Sequence, residues 1–255
     1  MLDLKIINGK IIDGTGAPAF IGNVAVKDGV IVEIGEVTAT AKHIVDAQGA
    51  LVTPGFVDVH THYDGQVSWD EELMPSVNHG VTTAVMGNCG VGFAPVKAAD
   101  RDWLISLMEG VEDIPGSILS EGIDWQWETF PEFLDTLDSK PHTIDIAAQL
   151  PHGALRTYVM GERGGQHEAQ PTRQEIDTMA ALTREALEAG AIGFSSSRTV
   201  NHKTADGEFT PSLTASADEL LGIADGLKEA GRGVIQLISD FDDHDPEFAL
   251  IENMA

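Results

Sequence analysis

Pro54-Gly55-Phe56-Val57-Asp58-Val59-His60-Thr61-His62 is the stretch on which the fold turns. Phe56 to Val59 is a short apolar run that leaves a Pro-Gly break, and it reads as a strand. Side chains two apart on a strand point the same way, so Asp58, His60 and His62 share one face. Before this stretch the pattern is β only; after it, strands alternate with helices.

Upstream, residues 1–54 form a small all-β unit. Runs over 4–7 and 10–12 flank Asn8-Gly9, a favoured two-residue hairpin turn, and runs over 24–26 and 30–32 flank Lys27-Asp28-Gly29. Downstream, over 55–255, strands are expected at 56–59, 82–86, 143–149, 191–195 and 234–238. Thr129-Phe130-Pro131-Glu132, Thr172-Arg173-Gln174-Glu175 and Ser216-Ala217-Asp218-Glu219 each have the form of a capping box, a hydroxyl at the N-cap and a glutamate three residues on. The last two helices stop at Gly190 and near Gly231, and a strand follows each.

Repeated βα units imply a parallel sheet, open or closed into a barrel. An open dinucleotide-binding sheet needs a Gly-x-Gly-x-x-Gly loop after its first strand, where this chain has His60-Thr61-His62-Tyr63-Asp64-Gly65. Asn88-Cys89-Gly90-Val91-Gly92 lacks the third spaced glycine. A barrel is therefore expected. Eight strands close such a barrel; five are legible here, and 245–255 read as a helix just starting, so the sequence suggests a barrel truncated at its C-terminal side.

The chemistry-bearing residues cluster at strand ends. Barrel enzymes place their active sites at the C-terminal ends of the strands. Two imidazoles spaced as His60 and His62 can reach one divalent cation, with Asp58 orienting one of them from behind. A His-x-His pair is otherwise common as two surface or core histidines. Cys89, the single cysteine, follows the second strand and would be a strong zinc ligand as a thiolate. A buried inert thiol is the plainer reading, and no signature of a nucleophilic cysteine surrounds it.

Residues 54–64 together with Gly80-Val81-Thr82-Thr83 and Gly87-Asn88-Cys89-Gly90 resemble the N-acyl-D-amino-acid deacylases (D-aminoacylases) of the amidohydrolase superfamily. His152-Gly153-Ala154-Leu155-Arg156 and Gly190-Ala191-Ile192-Gly193-Phe194-Ser195 extend the likeness over nearly the whole chain. The resemblance implies a metal-dependent hydrolase (β/α)8 TIM-type barrel, here incomplete, and a small β-sandwich built from both chain ends. It implies Zn2+, one or two ions, held by Cys89 and later histidines, with His60 and His62 at a neighbouring metal position. Metal-bound water would attack a linear amide, and a late-barrel aspartate beyond Ala255 would serve as general base. The substrate would be a small molecule, an N-acyl amino acid, and the piece by itself would be inactive.

Two departures stand out. The run Ser195-Ser196-Ser197-Arg198-Thr199-Val200-Asn201-His202 replaces the family's Gly-Leu-Glu-Tyr pattern, and no histidine ends the strand at 234–238, the next being His244. His152 and Arg198 are candidate substrate-binding residues, Arg198 for a carboxylate; a structural role or an ordinary salt bridge is the alternative for each. His43, His79, His142 and His167 read as surface residues. Trp125 and Trp127 either cover the barrel mouth or pack beneath a loop.

Composition narrows the partners. The 255 residues carry 41 acidic against 15 basic side chains, a formal net charge of -26. Such a surface repels nucleic-acid phosphates and anionic lipids, so neither is expected as a partner. A solvated acidic surface explains the charge without a specific cationic partner. No signal peptide or membrane-length apolar run is legible, and one cysteine allows no internal disulfide, so a cytoplasmic location is expected. The rival functions are a cyclic-amide hydrolase of hydantoinase or dihydroorotase type, disfavoured by the lack of a strand-end lysine, and a non-catalytic metal-binding remnant.

Overall fold

A computed structural model describes residues 1–255 as two compact units, Met1–Phe56 and Val57–Ala255. The first is a single mixed sheet of β1 (Leu2–Ile11), β2 (Phe20–Lys27), β3 (Val30–Gly35), β4 (Ala41–Asp46) and β5 (Leu51–Val52). The unit is a single sheet where a sandwich is expected. The β2–β3 hairpin turns at Asp28 and Gly29, both with positive φ, as the sequence requires.

Asn8-Gly9 is not a hairpin turn. β1 runs straight through it, and the pairing to β2 shifts register between Ile6 and Gly9, a β-bulge. Asn8 takes the left-handed conformation (φ 57°) that a turn would also use. Here it spends that conformation on the bulge, with its side chain bonded to Asp46 on β4. Both features share one local signature, and only the strands on either side of β1 decide between them.

The second unit holds a parallel sheet in the order β10-β9-β8-β7-β6, comprising β6 (Phe56–Asp58), β7 (Val81–Met86), β8 (Asp145–Pro151), β9 (Gly193–Arg198) and β10 (Val234–Ser239). The helices are α1 (Arg101–Glu112), α2 (Gly116–Gly122), α3 (Phe130–Asp138), α4 (His152–Met160), α5 (Arg173–Ala189), α6 (Ala217–Ala230) and α7 (His244–Met254). This is part of a βα barrel. α1 and α2, inserted between β7 and β8 ahead of α3, carry no capping box and were not foreseen. Their buried Leu104, Leu107, Met108 and Leu119 join Phe93, Leu150, Leu155 and Phe194 in one core, each contributing about 1.5–3 kcal/mol by leaving water. Trp127 packs beneath the loop before α3, its indole N–H donating to the Phe93 carbonyl (2.7 Å). No helix is long and apolar enough to cross a membrane.

β8 and β9 lie two to three residues later than the sequence suggests. Ser196 and Ser197, expected after the strand, are wholly buried strand residues like Ser195. Their hydroxyls find fixed partners: Ser195 bonds Gly87 and Gly90, Ser196 bonds His152, and Ser197 bonds His202. Burying a hydroxyl is tolerable only when it is so paired.

Thr129 and Thr172 complete their capping boxes, but Ser216 makes half of one. Ser216 accepts from the Glu219 amide, while the Glu219 carboxylate turns inward to Arg156 (2.8 and 2.9 Å) and His152 (3.1 Å). Arg156, His152 and Glu219 are all at 0% exposure. Burial alone would raise the Glu219 pKa, but the His152 and Arg156 contacts outweigh it and keep the carboxyl below its ordinary range. Burial lowers the His152 pKa, against the hydrogen bond and charge of Glu219. Removing one member of a buried ion pair strands the other charge. Glu219→Gln, which keeps the volume, is therefore expected to lower unfolding free energy by about 3–5 kcal/mol in urea titrations; a loss within experimental error would show that the pair contributes nothing.

Candidate metal centre

The site grows from the C-terminal ends of β6 and β7. Between His60 and His62, Thr61 donates from both its amide (2.9 Å) and its hydroxyl (2.8 Å) to the Val85 carbonyl, tying the histidine segment to β7. β7 then passes into Gly87-Asn88-Cys89-Gly90. A Cβ at Gly87 (φ 74°) would lie 2.1 Å from the Gln149 carbonyl oxygen, so no other residue fits there. Asn88, fully buried, donates to the carbonyls of Thr61 (3.1 Å) and Val85 (3.0 Å) and accepts from Gln149 (2.8 Å).

Cys89 itself sits at φ 56°, a left-handed conformation that costs a non-glycine residue of order 1–3 kcal/mol. Its amide donates to Gln236 on β10 (2.9 Å). The strain is held by the surrounding strands, and its effect is to aim the thiol at the histidines. His60 Nε2 and Cys89 Sγ are 3.2 Å apart, and with His62 the three donor atoms lie within 4.8 Å of one another. Donors on a tetrahedral zinc stand roughly 3.3–3.6 Å apart, given its bond lengths.

The electrostatics point the same way. Burial, helped by the neighbouring His60 and His202, lowers the His62 pKa to about 4, leaving it neutral. Its Nδ1 is buried with no hydrogen-bond partner, while Nε2 lies 3.1 Å from Glu112 at the end of α1. Burial pushes the Cys89 thiol up to about 12, reinforced by Glu112 and Asp64. That is the opposite of an activated nucleophile. Asp64, 3% exposed, is pushed up to about 8 by burial, against its backbone hydrogen bonds and with Glu112 adding to the rise; one of its oxygens has no partner. Glu112 is raised to about 7, first by burial and then by Asp113. Two carboxyls and a thiol resist ionisation beside the neutral His62 imidazole, and a divalent cation would reverse that resistance at all three acids. The donor set, the orphaned His62 nitrogen and the uncompensated acids fit a soft divalent metal such as zinc.

The other sequence candidates fall elsewhere. Asp58 accepts from the His60 backbone amide (3.3 Å) rather than from an imidazole ring. His152 lines no opening; it is sealed between Ser196 and Glu219. Arg198 is occupied by Glu247 (2.9 Å) and the Ala215 carbonyl (2.7 Å), so the salt bridge takes the guanidinium that was a candidate for a substrate carboxylate. His244 is an exposed residue at the start of α7. Of the histidines read as surface, His43 lies on β4 and His79 in a 3-10 turn, both exposed, while His142 bonds the Val67 carbonyl and His167 packs on Phe209, both half-buried.

Two residues at the site escaped the sequence reading. His202, half-buried and anchored through Nδ1 to the Ser197 hydroxyl (2.8 Å), is near enough to His60 and His62 for their charges to interact. Its place in the polar run that follows the fourth strand was the available signal. Glu112 had none, since it reaches His62 only through the packing of α1.

The amidohydrolase family profile matches residues 43–255. The D-aminoacylase of Alcaligenes xylosoxydans xylosoxydans is 31% identical over 230 residues, 90% of this chain and 43% of the relative. A solved D-aminoacylase, described for the functional role of its binuclear metal centre, superposes with a TM-score of 0.76 at 29% identity, over 99% of this chain and 48% of its own. The N-acyl-D-glutamate deacylase of Bordetella bronchiseptica, solved with zinc and a phosphonate inhibitor, gives 0.70 at 33% identity, over 92% and 44%. The chain thus spans less than half the length of each of these relatives. With five parallel strands, a histidine pair after the first and a cysteine loop after the second, the chain belongs to the amidohydrolase family.

Proposed function

We propose that this chain carries the metal-binding part of a hydrolase that cleaves the linear amide bond of N-acyl-D-amino acids. The observation that carries the reading is the convergence of His60, His62 and Cys89 at the strand ends, with no ordinary structural partner for the buried His62 Nδ1. The relatives described as D-aminoacylase and N-acyl-D-glutamate deacylase supply the substrate class.

On this reading His60, His62 and Cys89 bind zinc, and Asn88 and Gln236 hold the cysteine loop in the geometry that binding needs. A zinc ion there supplies a Lewis acid that polarises a carbonyl and brings the pKa of water towards neutrality. Burial keeps His62 unprotonated over the neutral range, so the ligand form is available without a proton being removed first. Asp64, wholly enclosed beside His62, contributes negative charge once a cation offsets its burial. Arg198 is paired with Glu247 at 2.9 Å. Since the chain spans 43–48% of the first relatives compared, hydrolysis is proposed for the whole protein and metal binding for this chain.

Two measurements test the reading. Cys89→Ala is expected to weaken zinc binding by more than about 100-fold, beyond what losing an outer partner costs, with circular dichroism unchanged; wild-type affinity in this variant would remove Cys89 from the ligands. The whole zinc-loaded protein is expected to release free amine from N-acetyl-D-amino acids and to spare the L-isomers. No turnover across such a panel would refute the substrate class.

A further inference from the structure

We infer that Ser195 is a positioning residue of the metal centre: its buried hydroxyl, set between the Gly87 carbonyl and the Gly90 amide, holds the turn that presents Cys89 before any metal arrives. The inference rests on the metal-binding reading above.

Cys89 occupies a place in the chain that its residue type does not favour. The Val91 amide donates to the Asn88 carbonyl (3.0 Å), which makes Cys89 and Gly90 the two central residues of a turn, at φ 56° and 71°. A turn with both central residues at positive φ selects asparagine, aspartate or glycine at the first of them. A cysteine there persists only where its surroundings over-determine it. The turn must be held from outside.

Ser195 supplies that hold from the fourth barrel strand. It lies on β9 at 0% exposure, opposite Pro151 on β8 and Gln236 on β10. Its Oγ accepts the Gly90 N–H (2.9 Å) and donates its single proton to the Gly87 carbonyl. One hydroxyl thus bonds the residue on either side of Asn88-Cys89. Gln236 accepts from the Cys89 amide (2.9 Å), and the Gly153 amide donates to the Gly90 carbonyl (2.8 Å). At Gly90 the β9 backbone is so near that a Cβ would lie 3.2 Å from the Ser196 Cα. An alanine at position 195 would deprive two buried backbone groups, the Gly87 carbonyl and the Gly90 amide, of this partner.

Strand alternation turns Ser196, the next residue, to the other face, where it bonds His152 (2.8 Å). The two serines are equally buried and differ in what they hold, which separates positioning from strand integrity. The histidine segment is tied on its own, through Thr61 to Val85, so Ser195 acts on the metal through Cys89.

Zn(II) affinity is measured by competition against a chelating dye in the whole protein and in Ser195→Ala, Ser196→Ala, Cys89→Ala and the Cys89→Ala/Ser195→Ala double variant. Melting by circular dichroism accompanies each. Ser195→Ala is expected to weaken binding about 10–100-fold, the cost of losing a partner behind a ligand, while Ser196→Ala leaves affinity unchanged. In the Cys89→Ala background the Ser195→Ala change adds nothing, since its effect passes through the missing thiol. Hydrogen exchange in the unaltered, metal-free protein is expected to find the Gly90 amide protected, and it decides the matter should Ser195→Ala fail to fold. A rapidly exchanging Gly90 amide, no loss in Ser195→Ala, equal losses in the two serine variants, or the full loss persisting in the double variant would overturn the role of Ser195 alone. A wild-type protein that binds no Zn(II) would defeat the metal reading and this inference with it.

Discussion

The buried carboxamide of Asn88 is the constraint on which the site depends. Its donors close on Thr61 and Val85 and its oxygen receives Gln149, so one side chain ties the segment after β6, the end of β7 and β8. An unpaired amide at that depth would cost a few kcal/mol, so the three bonds stand or fall together. Held this way, the next residue is forced into the left-handed region, and that residue is Cys89. The strain in Cys89 and the aim of its thiol are two faces of one arrangement.

Around that clamp the molecule collects acids to which it gives no basic partner. Asp64, Glu112 and Cys89 are buried or half-buried acids, all pushed toward their protonated forms, and none of them forms an ion pair with an arginine or lysine. Elsewhere the same protein satisfies buried charge with care, as Glu219 shows between Arg156 and His152. The contrast separates a structural network, complete within the chain, from a site whose balance calls for a cation.

The short-range features were legible in the sequence because their physics is short-range. The histidine pair, the cysteine loop and the five strand runs each depend on neighbours a few positions away. Asn8-Gly9 misled because a bulge and a turn use the same backbone conformation. Ser196 and Ser197 misled because polarity reads as exposure unless the partners, His152 and His202, are known. Glu219 looked like a capping residue and is half of one; its carboxylate answers to a buried arginine 63 residues away. Glu112 lies 50 positions beyond His62, and only tertiary packing brings them together.

Sulfur ligation by Cys89 beside imidazole nitrogen is the central claim about this metal centre. X-ray absorption at the zinc edge of the metal-loaded protein reads this directly. One sulfur at about 2.3 Å and a nitrogen or oxygen shell at about 2.0–2.1 Å are expected, with imidazole scattering beyond it. A shell of nitrogen and oxygen without sulfur would contradict it.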